Sequence, residues 1–63
     1  MVEVMIEQWR NLDGSVDFLW SVWRDGARVQ MGGAHKTAAD AKAAAAAYCG
    51  SRLGLAPDAV TEL

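Results

Sequence analysis

The sequence predicts an α+β fold, a three-stranded antiparallel sheet packed against one α-helix, and three observations carry that expectation. Two runs, Val2–Arg10 and Val16–Arg24, alternate side chains with the period of a half-buried strand. An Asp25-Gly26 pair after the second run is two-residue hairpin chemistry. An alanine-rich stretch follows from about residue 38 to about residue 50, and alanine is the best helix former.

In the first strand, about 2–10, Val2, Val4 and Ile6 point one way and Glu3, Met5, Glu7 and Trp9 the other. Asn11-Leu12-Asp13-Gly14-Ser15 is turn chemistry, with Asp-Gly supplying a positive-φ position. The second strand, about 16–24, is dense in β-branched and aromatic residues. It places Val16, Phe18, Trp20 and Val22 on one face and Asp17, Leu19, Ser21 and Trp23 on the other.

A two-residue loop at Asp25-Gly26 pairs Arg24 with Ala27, Trp23 with Arg28, Val22 with Val29 and Trp20 with Met31. That register puts Val29 and Met31 of a third strand, about 27–32, on the core face. The first loop aligns Ile6 with Trp20 and Val4 with Val22 in the same way. Gly32-Gly33-Ala34-His35-Lys36 reads as a flexible connection, the glycine pair marking a hinge or a tight strand exit.

Thr37 with Asp40 three residues on is an N-cap signature, and the helix ends at Gly50 or Gly54. Ala38, Ala41, Ala45, Tyr48 and Cys49 or Arg52 share one side, an alanine floor into which Trp20 and Phe18 rise. The tail, 54–63, is weakly specified. Pro57 bars a continuous helix, leaving either a short helical turn or an extended segment along a sheet edge, with Leu55 and Val60 expected to dock.

Sixty-three residues make a single domain, 1–63, and a chain this short buries only about 60% of its unfolded surface. Self-association is one remedy for so thin a core, because the lone Cys49 allows neither an internal disulfide nor a zinc cluster. A net charge of −2 argues against a general nucleic-acid binder. No stretch approaches the roughly 18 apolar residues of a membrane span, and the start lacks a signal-peptide pattern. With an unpaired cysteine, this makes a cytoplasmic location and no membrane partner the expectation.

Catalytic, metal and cofactor sites are all expected to be absent. His35 has no serine or cysteine nucleophile at triad spacing, and Glu3, Glu7, Asp17, Asp25 and Asp40 read as a solvated acidic surface. Gly32-Gly33 lacks the spacing of a phosphate loop, and Cys49 reads as a small core residue. The functional expectation falls on the sheet face away from the helix, where Met5, Trp9, Leu19 and Trp23 stand with Arg10, Arg28 and Gln30 as polar rim. Two other readings stay open there: the tail folds over part of the face, or its aromatic residues only stabilise cross-strand pairs.

The run Trp20-Ser21-Val22-Trp23-Arg24-Asp25-Gly26-Ala27-Arg28-Val29, then Thr37-Ala38-Ala39-Asp40-Ala41-Lys42-Ala43 and alanines to Tyr48, resembles two groups over about half the chain. One is the small uncharacterised bacterial proteins of the YegP type. The other is the three-strand-plus-helix DNA-binding domain of ethylene-response factors and of the arm-binding region of tyrosine recombinases. The second resemblance implies nucleic-acid contact through Arg10, Arg24, Arg28 and Trp23. The first expectation is a non-catalytic module that binds an unidentified protein or forms a homodimer, through this face or through the edges formed by strands one and three.

Overall fold

The computed structural model describes residues 1–63. Strands β1 (Val2–Arg10), β2 (Val16–Arg24) and β3 (Ala27–His35) form an antiparallel meander, followed by helix α1 (Ala38–Tyr48), a π-helical turn over Cys49–Leu53, and strand β4 (Ala59–Glu62). The sheet is four-stranded and mixed, in the order β3-β2-β1-β4, rather than three-stranded and antiparallel. The tail adopts the extended alternative, and β4 lies parallel to β1 with Val60 beside Val4.

A parallel return needs a crossover, and α1 supplies it by carrying the chain from the β3 edge to the β1 edge. Asp58 fixes the landing point. Its carboxylate accepts from the Val2 N–H at 2.7 Å while its own N–H donates to the Val2 carbonyl, also at 2.7 Å. Lys42 of α1 reaches Glu62 of β4 at 3.0 Å. Strand one is therefore interior to the sheet, and its edge is closed to the dimer geometry expected for it.

The β1–β2 register is as read from the sequence, with Val4 opposite Val22 and Ile6 opposite Trp20. Asn11 to Ser15 close on themselves: Asp13 accepts from the Ser15 N–H and hydroxyl, and Asn11 from the Gly14 N–H. At the second hairpin both Asp25 and Gly26 have positive φ, 52° and 83°, the geometry that matches a tight turn to strand twist.

Two pairs beyond that turn the register slips. Trp23 faces Arg28 as expected, but Val22 faces Gln30, Ser21 faces Met31 and Trp20 faces Gly32, with Val29 as the extra residue of a bulge. Val29 and Met31, expected in the core, are 40% and 44% exposed.

The cause lies at Gly32, where a Cβ would clash with the indole ring of Trp20. The slipped register brings the one residue without a side chain under the largest ring in the core. At Gly33 a Cβ would come within 2.7 Å of Leu19 Cγ on the other face. The glycine pair is thus a site of close approach inside a strand that runs on to His35, not a hinge, and His35 pairs with Phe18.

The core is Val2, Val4, Ile6, Trp20 and Val22 from the sheet against Ala41, Ala45 and Cys49 from the helix side. Thr37 caps α1 by accepting from the Asp40 N–H at 3.1 Å. The buried helical positions recur every four residues, which in an α-helix is about 400° and drifts by roughly 40° per step. The wider π turn takes back that drift and sets Leu53 against the core before Gly54, at φ 67°, ends the helix. Leu55 and Val60, expected to dock, stay 43% and 48% exposed, whereas Leu53 is the partly buried residue of this segment that packs against the core.

Replacing Trp20 by alanine should cost about 3–5 kcal/mol in urea denaturation, enough to leave so small a domain largely unfolded. Gly32→Ala should cost about 1–3 kcal/mol by overpacking. Nothing lies within 4 Å of a Cβ on Gly50, so Gly50→Ala should leave stability unchanged or raise it by up to about 1 kcal/mol.

Candidate partner-binding face

Side chains alternate across a strand, so β1 and β2 send one set toward α1 and the other to the opposite side of the sheet. The far side carries Glu3, Met5, Glu7 and Trp9 from β1 and Asp17, Leu19, Ser21 and Trp23 from β2. The register adds Arg28 and Met31 from β3 and Ala59 and Thr61 from β4. The tail pairs with the edge of β1 and leaves this face uncovered.

Ser21 sits at the centre, between Met5 and Met31 in register, and is 96% buried although no layer of chain lies over it. Trp23 accounts for this: its indole N–H donates to Ser21 Oγ at 2.9 Å, which lays the ring across the smaller residue. The Arg28 guanidinium stands 6.0 Å from the centroid of the same ring, at the outer limit of a cation–π contact, and 4.0 Å from the Met31 sulfur. Leu19 is half-buried over Gly33. Trp9 is 54% exposed and donates to Glu7 at 3.3 Å.

Of the seven residues singled out from sequence, Arg10 falls on the helix side with Val16, and Met5, Trp9, Leu19, Trp23 and Arg28 share this face. Gln30 does not. The bulge at Val29 turns it to the helix side opposite Val22 and puts Met31 in its place. The alternation Arg28-Val29-Gln30-Met31 reads smoothly as a strand, and the only mark of the slip is the Gly32-Gly33 pair beyond it.

The cations of the nucleic-acid reading do not converge. Arg10 and Arg24 pair with Val16 and Val2 and so share the helix side, leaving Arg28 alone among Glu3, Glu7 and Asp17. The surface has no enclosed pocket, and no three His, Cys, Asp or Glu side chains cluster. No helix is long and apolar enough to cross a membrane. Cys49 is fully buried, and burial pushes its thiol above the ordinary value, which keeps it protonated and unreactive.

Comparisons with protein-family models, curated proteins and solved structures return no match for this chain. The reading of the face therefore rests on its geometry.

Ser21→Ala should cost about 1 kcal/mol in urea denaturation, the worth of one hydrogen bond, and shift Trp23 emission to the red as the ring loses its anchor. Cys49 should react with a thiol reagent far more slowly in the native protein than in denaturant; equal rates would show that the thiol is accessible.

Proposed function

We propose that this chain is a non-catalytic protein-interaction module that docks through the outer face of its sheet. The observation that carries the reading is an uncovered face on which Trp23, Met5, Met31 and Leu19 occupy successive rows about Ser21, with Trp9 exposed beyond Glu7 and Asp17, and Glu3 and Arg28 flanking Trp23. Aromatic and methionine side chains with arginine are the composition enriched at protein interfaces. An apolar patch of this kind on a small protein marks a contact surface more often than a solvent face.

The surface favours binding over chemistry because a reacting group needs a concave, water-poor setting and a positioned base. A single unpaired cysteine fits a reducing, cytoplasmic setting. Nucleic acid is the weaker reading, since Arg28 and Lys36 stand among three carboxylates, with Lys36 already paired to Asp17, which leaves little phosphate attraction.

Site-specific photo-cross-linking in cells tests the face. A photoreactive residue at Trp9 should give a discrete adduct, and one at Ala43 on the exposed side of α1 should not; the reverse pattern would refute the reading. Trp23→Ala should stay folded by circular dichroism and lose the adduct formed from position 9. If it unfolds, Trp23 supports the fold and not a contact.

A further inference from the structure

The pairing register arranges the outer face in rows. Glu3, Trp23 and Arg28 form one, and Met5, Ser21 and Met31 form the next. Below them Glu7 adjoins Leu19, whose side chain covers Gly33. In each row β2 holds the middle position, with β1 and β3 as equal flanks about 4.8 Å to either side.

Glu3 and Arg28 carry opposite charges at the two ends of one row, and neither has an ion-pair partner in the chain. The three salt bridges are Met1 with Asp25, Lys36 with Asp17 and Lys42 with Glu62. Two strand spacings, about 10 Å, separate Glu3 from Arg28, with the Trp23 indole between them.

We propose that this face docks on the same face of a second copy, about a two-fold axis running along β2. The proposal rests on the reading of the face as a docking surface and names its partner. Such an axis exchanges the flanks and keeps every row at its own height. Arg28 of each copy then faces Glu3 of the other, Met31 faces Met5, and the two Trp23 rings, each lying over its own Ser21, meet beside the axis.

Packed sheets lie about 10 Å apart, within the combined reach of an arginine and a glutamate side chain. Their strands cross at about −30°, which the axis divides equally. A two-fold across the strands would instead set β1 over β1, bringing Glu3 and Glu7 against the same carboxylates of the second copy. Charge complementarity selects the axis along β2.

Size and edges point the same way. The molecule measures 37 × 20 × 15 Å, so its broad side projects to on the order of 700 Å²; a stable interface buries about 800 Å² per partner. Extending the sheet edge to edge is disfavoured, since β3 is irregular in two places and β4 has only four residues.

Sedimentation equilibrium across a concentration series tests the proposal on the intact chain. The unaltered protein should dimerise. Arg28→Glu and Glu3→Arg should each weaken the dimer at least about tenfold, or about 1.4 kcal/mol, while remaining folded by circular dichroism. An equimolar mixture of the two variants should recover association, because every cross-copy pair is then opposite in sign, whereas an effect confined to one copy would not be rescued.

A monomer at all concentrations would overturn self-docking and leave the wider reading to the cross-links from position 9. A dimer that ignores both charge changes, or a mixture that fails to recover, would overturn this axis. A dimer that also ignores Trp23→Ala would overturn the face itself as the interface.

Discussion

The packing of Trp20 across Gly32 is the constraint on which the rest of the structure depends. The indole is 8% exposed, tilts against Tyr48 with ring centroids 5.8 Å apart, and shares the core with Ala41 and Ala45. A ring that large fits between the layers only where both lack bulk, which the helix provides with alanine and the sheet with glycine. Its indole nitrogen is buried without a hydrogen-bond partner. Leaving such a donor unpaired costs about 1–3 kcal/mol, so apolar contact rather than polar recognition holds the residue in place.

The shape of the outer face follows from the same fit. Bringing Gly32 under Trp20 requires one surplus residue in β3, and the bulge at Val29 absorbs it. Gln30, Met31 and Gly32 then turn over, until a second irregularity ahead of His35 restores the original facing. Met31 joins Met5 around Ser21, and Arg28, on the near side of the bulge, stays in the row of Trp23 and Glu3. A choice made by core packing thus decides which side chains face outward.

The legible part of this fold was written in local chemistry. Alternation gave β1 and β2, the Asp-Gly turns gave their connections, and Thr37 with Asp40 gave the start of α1. Gly54 was one of two terminators consistent with the sequence. What escaped depends on contacts between distant residues. The slip at Val29 is invisible to alternation because Val29 and Met31 satisfy a core-facing pattern even while exposed. Strand β4 is only four residues long, and its partner lies at the other end of the meander, so the tail could be narrowed to two conformations and no further. The glycine pair read as a hinge or a tight strand exit because its role in accepting Trp20 on one side and Leu19 on the other exists only after folding. Met5, Trp9, Leu19, Trp23 and Arg28 nonetheless share one sheet face as alternation implies, since all five precede the bulge.

The parallel docking of β4 makes the chain a competitor for its own sheet. The meander is built from neighbouring hairpins, but the Val2–Asp58 contact joins residues 56 apart in sequence, so closing it carries a larger loop-entropy cost than any hairpin does. While β4 is away, β1 offers an open edge able to accept any extended segment as a fourth strand. What keeps residues 59–62 in that position is their effective concentration, set by the crossover that tethers them. Their hold on the edge is therefore a matter of mass action: a foreign strand displaces them once its concentration, weighted by its affinity, exceeds what the tether supplies.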